Sequence, residues 1–268
     1  MMSHTATGTA AVQGELWSER ADDWAEVQEG VMRSAFRAGL DALGVGSGTR
    51  MLDVGCGAGL VLRLAADRGA DVSGLDASPA MVAHAQARVP GAPIVQGEIE
   101  ELPFDDEAFD VVTGFNSFQY AARPAHALEE AARVLAPGGR VLMLTWGLPE
   151  QCEAAAYLAA LRPFLPPPPP GAPGPFALSP VEALTAVLED ARLEVRTLED
   201  VQTIWEYPDE ETAMRGLLAS GPVVAAMRHG GEVGVTQAVR DYLVSFELPG
   251  GGYRIENVFR YVIGEPRA

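Results

Sequence analysis

The chain has 268 residues, a formal net charge of −18 (37 acidic against 19 basic residues) and 48% apolar residues. Such a surface repels polyanions, so nucleic acid is excluded as an expected partner, while the apolar share suffices for one large core carrying an insertion. All 19 basic residues are arginine, which removes a Walker A lysine, a pyridoxal-phosphate Schiff base and a lysine general base from consideration.

Met1–Val12 lacks the basic and apolar regions of a signal peptide, and no apolar run reaches the roughly 18 to 20 residues that span a bilayer. The expected location is therefore the cytoplasm. Trp17 to Leu43 carries apolar residues at helical spacing (Trp17, Ala21, Trp24, Val31, Ala35, Phe36, Leu40) and ends at Gly44, Gly46 and Gly48. Strand and helix signals then alternate. Strands are predicted over Arg50–Val54, Asp71–Leu75, Ile94–Gln96, Phe109–Gly114 and Arg140–Trp146. Helices fall over Gly59–Asp67, from Ser78-Pro79 onward with serine as N-cap, and from Pro124 to Leu135, where Pro137-Gly138-Gly139 marks a stop. Nearly continuous apolar strands separated by helices predict an α/β fold, a parallel sheet covered on both faces.

Beyond Trp146, helices are predicted over Glu153–Leu161 and Val181–Asp190, with an extended proline spacer at Pro166–Pro170 between them. A strand lies within Leu193–Tyr207. Helices over Glu210–Ser220, Pro222–His229 and Glu232–Phe246 precede a last strand, Tyr253–Ile263, whose alternate residues share one face. The chain is read as a single domain: residues 1–44 a helical lid, 45–207 and 250–268 the core, and 208–249 a helical cap inserted over the ligand crevice.

In an open parallel sheet, ligands sit beyond the carboxyl ends of the strands. After the first strand stands Asp53-Val54-Gly55-Cys56-Gly57-Ala58-Gly59, a turn that lets backbone approach a ligand closely. Leu60 occupies the third position of a dinucleotide fingerprint, which that fingerprint does not allow. Cys56 is read as a small filler of this turn. After the second strand comes Asp76, placed to bind ribose hydroxyls; the role of helix cap is already filled by Ser78. After the third comes Gly97-Glu98-Ile99, where a carboxylate and an N–H suit an adenine edge, and after the fourth Phe115-Asn116-Ser117-Phe118-Gln119-Tyr120, polar groups between aromatics.

These motifs resemble class I S-adenosylmethionine-dependent methyltransferases of the ubiquinone/menaquinone-biosynthesis type. The resemblance is carried by residues 52–59, 74–81, 97–104, 109–112 and 133–140 in order and spacing. It implies a Rossmann-like sheet of seven strands, one antiparallel, with Tyr253–Ile263 the candidate, and S-adenosylmethionine as cofactor. Carried over by position, Asp53, Gly55, Gly57 and Gly59 face the methionine end, Asp76 the ribose, and Glu98 with Ile99 the adenine, with Ala77 and Met81 also in the cofactor set. Phe115 and Asn116 join this cofactor set. Glu98 stands where the family usually has aspartate. Residues 147–250 match loosely and leave the acceptor open.

The expected activity is methyl transfer to a small, partly apolar metabolite, in a setting of secondary metabolism, by a monomer or homodimer. The alternative is a non-methylating cyclisation or decarboxylation on the same fold; a non-catalytic binding module is disfavoured by the intact glycine turn and Asp76. Trp17, Arg20 and Trp24 are read as a lid on the cofactor, with Arg20 near its carboxylate. His229 is the candidate base reaching down from the cap, and Tyr120 the second candidate catalytic residue. Tyr120, Trp146, Trp205, Tyr207 and Tyr253 are candidates for an aromatic acceptor pocket. No histidine–carboxylate cluster with ligand spacing points to a metal.

Overall fold

A computed structural model describes residues 8–167 and 174–267. Its seven strands form one sheet: β1 Arg50–Val54, β2 Asp71–Asp76, β3 Ile94–Gln96, β4 Phe109–Phe115, β5 Leu135–Trp146, β6 Leu193–Tyr207 and β7 Tyr253–Pro266. Their order is β3-β2-β1-β4-β5-β7-β6. β1 to β5 run parallel, and β7 lies antiparallel between β5 and β6. This is the Rossmann-like methyltransferase sheet expected, with Tyr253 opening its antiparallel strand. The chain winds outward from β1 to β3 and then crosses back to β4, so the switch in direction falls between β1 and β4, where such sheets bind ligands.

Eleven α-helices are described: α1 Ala10–Ser18, α2 Ala21–Asp23, α3 Arg33–Ala42, α4 Leu60–Ala66, α5 Pro79–Arg88, α6 Pro124–Arg133, α7 Ala154–Leu161, α8 Val181–Asp190, α9 Glu210–Leu217, α10 Gly221–Gly230 and α11 Glu232–Leu243. Alternation along the strands sorts the core into two layers. Met51, Leu142 and Leu144 pack with α3, α4 and α5 on one face, and Leu52, Val54, Val141 and Met143 with α6 and α8 on the other. The side chain of Ser78 accepts from the Met81 N–H at 3.1 Å, with Pro79 in the first turn, as its sequence predicts.

Three local expectations change. The first helix begins at Ala10 rather than Trp17, and the chain passes through a π-turn at Trp24–Gln28 before α3. Pro137-Gly138-Gly139 does not precede the fifth strand but lies within it, at a register shift opposite Phe109/Val111 where Gly138 takes φ +80°. The proline spacer falls largely outside the described residues. Helices α9 to α11 do occupy the interval between β6 and β7, where α10 packs on α1 and α11 on α7. No helix among the described residues is long and apolar enough to cross a membrane.

Candidate active site at the carboxyl edge of the sheet

Gly55, Gly57 and Gly59 all hold φ between +53° and +84°, which side chains resist, so the turn after β1 requires glycine there. Each also permits a close approach. A Cβ on Gly55 would overlap Ser117, whose hydroxyl donates to the Val54 carbonyl at 2.6 Å and ties the β4 loop to the end of β1. A Cβ on Gly59 would fall 2.8 Å from the Ala85 backbone of α5. The turn is anchored beneath by Gly55 and Cys56, whose N–H groups donate to the Leu75 carbonyl at 2.7 and 2.9 Å.

Asp76, at the end of β2, accepts from the Gly57 N–H at 2.9 Å and the Ser78 N–H at 2.8 Å. It is half-buried at the end of the strand, and burial raises its pKa. Asp53 is 1% exposed and accepts from Thr113 Oγ1 at 2.7 Å, the residue opposite it on β4. Burial pushes its carboxyl up to about 8 against the Thr113 bond that lowers it, and Glu29 and Asp76 push further in the same direction.

The residues after β4 face the same edge. Asn116 holds a left-handed φ of +59°, an uncommon state for a non-glycine residue, and accepts from the Gln119 amide. Tyr120 packs edge-on against Trp17, with centroids 5.9 Å apart. Burial raises its phenol to about 12, so it stays protonated at neutral pH and is no base there. Phe115, by contrast, points into the core against Phe36 and Gly39.

The N-terminal segment roofs this edge. Trp24 and Glu29 stand over Gly57: a Cβ there would meet Glu29 Oε1 at 3.3 Å and Trp24 Nε1 at 3.5 Å. Glu29, buried and paired with Arg88, accepts from the Leu60 N–H at 3.3 Å at the start of α4. Sequence reasoning missed Glu29, because nothing local marks a residue whose role comes from a contact 31 positions away. Met81 is buried with Ala21 and Ala58 against Trp17 and Trp24, joining roof, glycine turn and α5. Gly14 lies against the Ala77 carbonyl, and Glu98 accepts from the Ala10 N–H at 2.8 Å. Ile99, half-buried, packs beneath that loop.

Several expected contacts are redirected. Arg20 does not turn to the glycine loop; it pairs with Glu232 of α11 at 2.6 Å. His229 is exposed at the end of α10, because the helix buries Val223, Val224, Ala226 and Met227 and turns Arg228 and His229 outward. The geometry for a base at His229 is absent. Trp146, stacked on Phe259 at 4.5 Å, and Trp205 are core residues of the sheet, not pocket walls. Tyr207 donates to Gln28 Oε1 at 2.8 Å, which accounts for its hydroxyl, and Tyr253 is half-buried at the start of β7.

Residues 52–143 match the family described as methyltransferase domain. An uncharacterised protein of Mycobacterium tuberculosis is 30% identical over 248 residues, covering 87% of this chain and 85% of its own length. The chain belongs to the methyltransferase-domain family. A demethylmenaquinone methyltransferase of Beutenbergia cavernae is 37% identical over 139 residues, 52% of this chain and 58% of that protein. Geranyl diphosphate C-methyltransferase from Streptomyces coelicolor, solved with Mg2+, geranyl diphosphate and S-adenosyl-L-homocysteine, shares the fold with TM-score 0.57 at 15% identity, over 98% of this chain and 99% of that one. The S-adenosyl-L-homocysteine of that neighbour names a ligand class that the chemistry of this edge suits. Asp76 and Glu29 flank one turn, with Arg88 as counter-charge to Glu29, and a ligand carrying positive charge there favours ionisation of the neighbouring Asp53.

Proposed function

We propose that this methyltransferase moves a methyl group onto a small, partly apolar acceptor by in-line displacement, in the cleft between the sheet edge and the helical layer α9–α11, with residues 1–44 as lid and 208–249 as cap of one domain. The observation that carries the reading is the convergence of the glycine turn, Asp76 and the Asn116–Tyr120 loop under α1. Asp53, Gly55, Gly57 and Gly59 would hold the methionine end, Asp76 the ribose with Ala77 beside it, and Glu98 and Ile99 the adenine, while Met81, buried against Trp17 and Trp24, supports the turn from within the core. Asn116 would line the space beside them, and Trp24 would close it from above.

The bound cofactor supplies an activated methyl on a sulfonium together with its own leaving group. The protein's part is alignment and exclusion of water, and in well-oriented systems such positioning is worth on the order of 7 to 11 kcal/mol. Tyr120, protonated at neutral pH, orients the acceptor by donating a hydrogen bond and takes no proton. With His229 turned outward, the acceptor brings a nucleophile already available near neutrality, an amine or a stabilised carbanion. The roof and the net charge of −18 both favour a small molecule over a polyanion.

The test is incubation with methyl-labelled S-adenosylmethionine and a panel of small amines and carbon acids. Label recovered in an acceptor supports the reading. An unlabelled, rearranged product with the cofactor unconsumed contradicts it and identifies a non-methylating enzyme.

A further inference from the structure

Helix α1 begins without a cap of its own. Thr9 stands at its N-cap position, yet its side chain makes no capping bond; its hydroxyl donates instead to the Tyr120 carbonyl at 2.8 Å, in the loop after β4. The exposed donors of the first turn need a partner. The partner comes from 88 residues away: Glu98 Oε2 accepts from the Ala10 N–H at 2.8 Å, while Oε1 accepts from the Glu100 N–H at 3.2 Å in its own loop. One carboxylate therefore bridges the loop after β3 and the helix that roofs the site.

The surroundings are built for this contact. A Cβ on Gly8 would overlap the Glu98 carboxylate, so glycine there permits the approach. Further along α1, a Cβ on Gly14 would fall 2.5 Å from the Ala77 carbonyl, and the Ser18 hydroxyl lies 2.7 Å from that of Ser78. A helix of nine residues thus touches the loops after β2, β3 and β4. The anionic cap also meets the positive end of the helix dipole.

We propose that Glu98, in addition to its place at the adenine, is a positioning residue that acts through α1: it latches the roof helix to the third loop, so that the two close over the cofactor as one unit. This rests on the cofactor reading above, and it accounts for glutamate where the resemblance leads one to expect aspartate. Shortening the arm by one methylene draws the carboxylate back by roughly 1.3 Å, which takes the 2.8 Å bond to Ala10 out of hydrogen-bond range.

The experiment uses the full chain with Glu98→Asp, Glu98→Ala and Glu98→Gln. Hydrogen exchange across residues 9–18, without cofactor, reads the latch directly. Exchange about tenfold faster in the aspartate and alanine variants, with most protection kept in the glutamine variant, is the expected result, the size of a lost N-cap. In turnover, the loss falls on the cofactor KM more than on kcat. Unchanged exchange in the aspartate and alanine variants overturns the proposal. A raised KM with unchanged exchange overturns it too, since Glu98 then acts by direct ligand contact alone. The exchange result stands even if no methyl transfer is found, which separates failure of the latch from failure of the functional reading.

Discussion

Beneath the cofactor edge, Leu52, Val54, Leu142 and Leu144 are fully buried, and the loops above them are fixed by backbone bonds such as those from Gly55 and Cys56 to Leu75. The roof is held differently. Arg228 of α10 pairs with Glu19 at 2.8 Å, Arg215 of α9 with Asp23 at 2.7 Å and Glu232 of α11 with Arg20 at 2.6 Å. Most of these partners are substantially exposed, so salt screens them while leaving the buried layers untouched. The platform is set by packing and backbone geometry; the roof is seated on it by the buried contacts of Ala21 and Glu29 and tied along its outer face by these exposed pairs. A rigid edge under a roof held in part by screenable contacts suits cofactor exchange.

The largest effect should come from the edge. Asp76→Asn is expected to weaken S-adenosylmethionine binding by about two orders of magnitude, the scale of charged hydrogen bonds lost in a buried site, while strand exchange stays near wild type. Equal affinity in this variant would remove Asp76 from the site. Next, Tyr120→Phe should lower kcat about tenfold without introducing a new ionisation near neutral pH, because the phenol is protonated throughout that range. A wild-type ionisation near neutrality that disappears in this variant would instead mark it as a base.

A smaller effect distinguishes the two regions directly. Raising ionic strength from about 0.05 to about 0.5 M should speed exchange across residues 9–32 severalfold and leave β1, β4 and β5 unchanged. Arg228→Gln should reproduce part of that change at low salt. Equal acceleration in roof and strands would mean that the roof is not a separately held layer. Smallest of all, His229→Ala should change turnover by less than about twofold, since an exposed residue at the end of α10 touches nothing at the edge.

The platform was readable because its signals are local. The bounds of β1, β3 and α8 follow from apolar runs and turn residues, and the Ser78-Pro79 start follows from cap chemistry. The sheet order then carries Asp53, Asp76, Glu98 and Tyr120 to one edge with no further assumption. The roof was readable only in outline. The early start of α1 depends on a cap from Glu98, and Glu29 gains its place from contacts with Leu60 and Arg88, neither visible within any window of sequence. The outward turn of His229 was legible in principle: the apolar run Val223–Met227 already sets the buried face of α10. Trp146 and Trp205 illustrate the opposite error, in which aromatic residues at strand positions are core and not pocket.

The most direct measurement is calorimetric titration of S-adenosylmethionine and S-adenosylhomocysteine onto the purified chain at about pH 6.5 and about pH 8.5. In the folded chain without ligand, Asp53 keeps its proton from its ordinary value of 3.8 up to about 8, so this group's contribution to stability is present at low pH and is lost as pH rises through about 8. A cationic ligand favours the ionised carboxylate, and its binding below that pH must displace the proton. Affinity for the sulfonium form is therefore predicted to rise severalfold between the two pH values, and affinity for the thioether to rise less. No heat of binding for either ligand at either pH would contradict the account at its root.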